Sequence, residues 1–217
     1  MSKQGQAPIL TKKEQKLVLD NLSGTKFETR DKAIFLLAFR AGLRATEIAS
    51  ISLADFVNEE KPISSWSTIN SAKPTKKDKY EVEDIKRTIT LRKEITKGSK
   101  VEKAHLVDKE LRQALTDYLN NRYERHFNKD VKEMFITNKF CAFDANGMAH
   151  LFLAMSKKTG VKFTSHSGRR TLCTSLANKG VNAFELQHIM RHKDISTTML
   201  YYQQDESRLA SVMEDNL

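Results

Sequence analysis

The sequence predicts a mixed α+β domain, mainly helical, with a small antiparallel sheet at one edge. Three observations carry that expectation. Helix-start signals followed by apolar residues three and four apart recur through the first fifty positions. Ile, Thr, Leu and Val alternate over residues 85–93 and 101–107, on either side of Lys97-Gly98-Ser99-Lys100, which supplies the turn residues of a β-hairpin. Nearly everything after Asp108 has helical periodicity.

Residues 1–10 read as a flexible arm. Thr11-Lys12-Lys13-Glu14 has the form of a capping box, in which hydroxyl and carboxylate satisfy orphan N–H groups, and it opens a helix to about Leu22 that Ser23-Gly24 ends. Thr29 can cap the next helix, 31–41, whose Ile34, Phe35, Leu37 and Ala38 line one face before Gly42 stops it. A short helix follows over 46–51. Residues 57–84 are polar and weakly periodic, a long connection with 66–69 as a strand candidate. Beyond the hairpin, helices are expected over 109–125, 146–158, 167–178, 182–190 and from 195 onward, with Gly160 and Gly180 as stops and 134–137 as a third strand. In the tail, 204–217, Leu209, Val212 and Met213 form an apolar stripe at helical spacing.

Composition limits the function classes. The 217 residues include 37 Lys and Arg against 27 Asp and Glu, a net charge of +10, and the 39% hydrophobic share is that of a globular chain. Cys141 and Cys173 provide neither a disulfide framework nor zinc-ligand spacing, so a reducing, cytoplasmic setting is expected. The longest apolar run, 33–39, is far below a bilayer span, and no membrane association is expected. Residues 61–100 hold 11 basic and 5 acidic side chains. Such a stretch suits a polyanion, because each Lys or Arg on a phosphate releases a condensed counterion; Lys73, Lys76, Lys77 and Lys79 are the candidate DNA contacts. A solvated loop is the plainer alternative.

Four segments concentrate ionisable groups beside turns or helix starts. Arg44 stands at a helix start with Glu47 one turn along, able to orient the guanidinium; taken singly, this is a surface ion pair. His166 and Arg169 lie three apart near another helix start, a favourable place for an anion. His192 follows an apolar helix, and Tyr201-Tyr202 begins nine residues later. An aromatic pair there would ordinarily be core.

Their order adds what each lacks alone. Arg44, Lys97, His166, Arg169, His192 and Tyr201 together resemble the active-site set of the tyrosine recombinase (phage integrase) family. AGLRATEIASIS (41–52) is similar to that family's first arginine box. TKGSKVEKAHLV (96–107) resembles its hairpin lysine motif, and HSGRRTLCTSLANKGVNAFELQHIMRHKDISTTMLYYQ (166–203) resembles its second box through to the nucleophile. The similarity covers about residues 10–203. Two positions depart from the pattern: Gly168 stands where family members often carry Leu, and Arg191 where they often carry Gly. With only 43 residues before Arg44, the chain resembles a catalytic-domain-only member, or an isolated catalytic fragment, lacking the separate helical domain that clamps the duplex.

The resemblance implies a mainly helical catalytic domain over 11–203 and a tail helix, 204–217, exchanged between subunits; a tail folded back on its own core is the plainer alternative. It implies a site-specific recombinase acting on double-stranded DNA as a homo-tetramer on paired sites, monomeric or weakly associated when free, aided by accessory DNA-binding proteins and associated with the nucleoid. Tyr201 is implied as the nucleophile that forms a 3′-phosphotyrosyl bond, with Tyr202 its neighbouring rival. Arg44 and Arg169 would neutralise the phosphate, since guanidinium groups stay charged and match phosphate oxygens bidentately. His166 and His192 would hydrogen-bond the phosphate and help move the tyrosine proton. Lys97 would be the general acid for the leaving 5′-oxygen, with Lys100 and Lys103 as competitors, and Glu47 a supporting residue. No cofactor and no metal are expected. The same chemistry suits a type IB topoisomerase-like enzyme that reseals the strand it cut, and a third reading is a DNA-binding regulator that keeps the fold without activity. A metal nuclease is disfavoured, because His166 and His192 lack partnering carboxylates or cysteines at ligand spacing.

Overall fold

The computed structural model describes residues 6–58, 79–93, 100–126 and 131–202. The chain divides into two compact units, Met1–Leu172 and Cys173–Leu217. Along the chain run α1 (Lys12–Leu22), α2 (Glu28–Arg40), α3 (Ala45–Ser50), α4 (Leu53–Phe56), β1 (Thr88–Leu91), β2 (Glu102–His105), α5 (Lys109–His126), α6 (Ala145–Thr159), α7 (Ser167–Asn178), α8 (Ala183–Met190) and α9 (Ile195–Met199). The architecture is the mainly helical α+β one expected, with a two-stranded antiparallel sheet among the described residues. No helix among them is long and apolar enough to cross a membrane.

In the first unit, the Thr11 hydroxyl accepts from the Glu14 N–H at 3.2 Å while the Glu14 carboxylate accepts from the Thr11 N–H at 2.8 Å, so α1 starts where the capping box places it. The expected arm is packed at its inner end. Leu10 is buried, its N–H donates to Thr171 Oγ1 at 3.0 Å, and the Arg170 guanidinium donates to the Ala7 carbonyl. Packing therefore begins before the capping box. Helix α2 starts at Glu28, three residues earlier than expected, with Phe27 as its N-cap and Thr29 inside the helix. Residues 33–39 are buried all round rather than on one face, because α2 is the central helix of the unit. Phe35 and Phe39 stack at 4.1 Å between ring centroids and Phe163 meets both edge-on, an arrangement that aligns ring edges with ring faces. Each such buried ring stabilises the fold by about 1.5–3 kcal/mol.

Strands β1 and β2 pair with Thr88 opposite His105 and Leu91 opposite Glu102. Ile89, Leu91 and Ala104 turn into the core, and Thr88, Thr90, Lys103 and His105 face outward, as the period of two requires. The third strand expected at 134–137 does not form; the region makes only isolated bridges, Ser52 with Glu133 and Ile136 with Ala142. Arg122 explains the local geometry. Its buried guanidinium donates to the carbonyls of Val131, Glu133 and Met134, so those oxygens are taken by a side chain rather than a ladder. The same segment accepts from the Leu53 N–H (2.9 Å) and donates to the Ile51 carbonyl (2.7 Å), which ties it to the end of α3. Much of the 57–84 connection, including 66–69, lies outside the described residues, as does the tail beyond 202.

In the second unit, α8 is capped by Asn182, whose side chain accepts from the Phe184 N–H at 2.8 Å, and α9 by Asp194, which accepts from the Ser196 N–H at 2.9 Å. Leu186, Met190 and Thr198 are buried within it.

Candidate active site

The first unit holds the two arginines and the first histidine. Just past the end of α2 stands Gly42, whose φ of +62° is the left-handed conformation that glycine adopts without penalty. The chain reverses there, with the Ala41 and Leu43 N–H groups both donating to the Leu37 carbonyl. Two residues on, Arg44 is the N-cap of α3. Glu47 grips it twice: one carboxylate oxygen accepts from the Arg44 N–H at 2.9 Å, and the other pairs with the guanidinium. The Glu47 side chain has 0% exposure and Arg44 21%, so this is a buried carboxylate orienting a partly exposed cation, not a surface pair.

Arg169 is anchored on the same turn. Its Nη1 donates to the Gly42 carbonyl at 2.8 Å, and the residue is 8% exposed. His166 lies immediately before α7 and is exposed; its carbonyl accepts from the Arg170 N–H at 3.1 Å, which makes it the first helical acceptor. The turn into α7 is closed by Ser167 and Thr164, each donating its N–H to an oxygen of the other at 3.0 Å. At Gly168 a Cβ would sit 2.6 Å from the Ala38 carbonyl carbon, which accounts for the absence of the larger residue expected from the resemblance.

The second unit holds the second histidine and the tyrosine. His192 follows the C-cap of α8, and its Nδ1 lies 2.8 Å from Thr198 Oγ1, a buried hydroxyl on α9. That bond fixes the ring's rotation. The Tyr201 ring lies nearly parallel to the His192 ring, with centroids 6.3 Å apart and planes 17° apart. Tyr202 is turned elsewhere: its hydroxyl donates to the Val181 carbonyl. Nothing in the sequence marks Thr198 as a functional residue apart from its spacing of six from His192. Arg191 has φ +51°, a left-handed C-cap whose N–H returns to α8, so the departure from glycine occupies the one position there that favours glycine.

Lys97 and Lys73, Lys76 and Lys77 lie outside the described residues; Lys79, Lys100 and Lys103 are exposed. Among the described residues there is no group of three or more His, Cys, Asp or Glu side chains able to share a metal ion. The arrangement in each unit can offer fixed positive charge to an anion in one case and an oriented imidazole beside a phenol in the other.

Residues 8–208 match the phage integrase family. The chain is 32% identical over 204 residues to transposase A from transposon Tn554 of Staphylococcus aureus, covering 92% of this chain and 49% of that one. It is 28% identical over 211 residues to the tyrosine recombinase XerC of Caldanaerobacter subterraneus subsp. tengcongensis, covering 95% of this chain and 50% of that one. It thus spans about half the length of these relatives. The fold is similar to that of the XerA recombinase crystal structure, with a TM-score of 0.68 at 22% identity over 99% of this chain and 67% of that one. It is also similar to the Tn1549 transposon integrase solved in complex with transposon right end DNA, with a TM-score of 0.67 at 21% identity over 100% of this chain and 68% of that one. With the arginine turn, the α7 start and the His192–Tyr201 pair falling inside the matched span, the chain belongs to the phage integrase family, that of the tyrosine recombinases.

Proposed function

We propose that this chain is the catalytic part of a site-specific DNA recombinase that cuts and rejoins strands through Tyr201. The observation that carries the proposal is the contrast between neighbouring tyrosines, Tyr201 stacked by His192 and Tyr202 bound through its hydroxyl to Val181. The Tyr201 oxygen attacks the scissile phosphorus, a P–O bond to tyrosine forms, and the bond to the 5′-oxygen breaks. The tyrosine proton leaves through the phosphate-bound histidines, and Lys97 protonates the departing 5′-oxygen. The product is a 3′-phosphotyrosyl ester and a free 5′-hydroxyl. Because the ester keeps a phosphodiester-like bond, a 5′-hydroxyl from another strand reverses the step without ATP.

Charge on the non-bridging oxygens is met by Arg44 and Arg169, held on one turn by Glu47 and by the Gly42 carbonyl. Fixed guanidinium groups need no reorganisation during the reaction, which is why they serve here as a metal ion does elsewhere. The net charge of +10 and the basic 61–100 stretch favour duplex DNA as the substrate, and the relative solved on transposon DNA supports the same partner. Exchange between two duplexes requires four tyrosines, hence a tetramer on paired sites, with residues 204–217 passed between neighbouring subunits. The test uses a duplex nicked just 3′ of the scissile phosphate, from which the short fragment carrying the 5′-hydroxyl diffuses away. A protein–DNA adduct stable in denaturant is expected; binding without an adduct would support a regulator instead, and adducts that relax supercoiled DNA but never join two sites would support a topoisomerase-like enzyme.

A further inference from the structure

Helices α2 and α7 cross at Gly168, the second residue of α7, with almost no space between them. A Cβ at that position would lie 2.6 Å from the carbonyl carbon of Ala38 and 2.8 Å from both its oxygen and its Cβ. Two of these three atoms are backbone, so no side-chain rotation relieves the clash; one of the helices has to move. Gly168 is not among the residues with positive φ, so backbone conformation does not call for glycine here. Glycine is also among the poorest residues for a helix. Close approach is the remaining reason for it.

The crossing lies at the arginine turn. Ala38 directly follows Leu37, whose carbonyl receives the N–H groups of Ala41 and Leu43 as the chain turns toward Arg44. On the other helix, Gly168 directly precedes Arg169, which donates to the Gly42 carbonyl at 2.8 Å, and it lies two residues after His166. A shift of several tenths of an ångström at the crossing therefore moves the start of α7 away from the turn it is bonded to. We propose that Gly168 is a positioning residue: its missing side chain sets the separation of α2 and α7, and so registers Arg169 and His166 against Arg44 at the phosphate.

This inference rests on the strand-cleavage reading, and the test separates the two. Cleavage is measured for Gly168→Ala on paired substrates, one with an ordinary scissile phosphodiester and one with a methylphosphonate, in which a methyl group replaces a charged non-bridging oxygen. The neutral linkage has less need of placed guanidinium groups. The ratio of the two rates does not depend on the fraction of protein that is folded. Misplacement on this scale is expected to slow phosphodiester cleavage roughly 100-fold, and methylphosphonate cleavage no more than about a tenth as much. The double variant Ala38→Gly/Gly168→Ala removes one of the three clashing atoms and should recover part of the loss. Equal slowing on both substrates, or no slowing, overturns the inference while leaving the cleavage reading intact. Failure of both variants to fold overturns it as well, by making Gly168 a general packing requirement. A native chain that cleaves neither substrate fails the cleavage reading itself.

Discussion

The Nδ1 of His192 and the Oγ1 of Thr198 lie 2.8 Å apart, joining the residue that follows α8 to the core of α9. Thr198 is fully buried, so the bond is shielded from competing water and the imidazole is held in one orientation beside Tyr201. Thr198→Val keeps the shape and removes the hydroxyl, leaving Nδ1 without this partner. The expected result is cleavage slowed about tenfold with the melting curve little changed, while Thr198→Ser stays near the parent rate. Single-turnover cleavage of a nicked duplex measures both.

Arg191 invites a stability comparison. A residue with a Cβ pays about 1–2 kcal/mol in the left-handed region, which glycine does not. Arg191→Ala and Arg191→Gly both delete the side chain, so their difference isolates the backbone term. Urea denaturation should place the Gly variant about 1 kcal/mol above the Ala variant; equal midpoints would mean that the left-handed cap carries no strain.

Legibility varied with the reach of each interaction. The capping box at Thr11 and Glu14 is local, and α1 starts where it says. The start of α2 differs from expectation because Phe27 caps without a side-chain bond, leaving Thr29 as a false signal. The strand expected at 134–137 is absent because Arg122, from the preceding helix, takes the Met134 carbonyl that a ladder would use, a side-chain bond that strand periodicity does not record. Leu10 reads as part of an arm because its partner, Thr171, is 161 residues away. At the site, Arg44 with Glu47 was legible as an i, i+3 pair, but its burial was not. The anchoring of Arg169 on Gly42 and the crossing at Gly168 depend on two helices meeting, which no single stretch of sequence records.

If two arginines meet the phosphate charge, strand cleavage needs no divalent ion. Cleavage of the nicked duplex is expected to survive excess EDTA at the parent rate. Loss on chelation with rescue by magnesium would point to a nuclease.

The role of Lys97 is separable from mere phosphate binding. Lys97→Ala should slow cleavage of an ordinary 5′-oxygen leaving group by roughly 100-fold, within the range of general acid catalysis. A 5′-bridging sulfur departs without a proton and should be affected little. Equal slowing on both would mean that Lys97 only binds phosphate, or that Lys100 or Lys103 is the acid.

The central claim concerns one oxygen atom, and peptide mapping of the trapped complex tests it most directly. Protein joined to the nicked duplex is digested and the DNA-bearing peptide is sequenced by mass spectrometry. The account predicts the 3′-phosphate on Tyr201, no adduct from Tyr201→Phe, and undiminished adduct from Tyr202→Phe apart from the loss of its bond to Val181. An adduct on Tyr202, or one that persists in Tyr201→Phe, would contradict it.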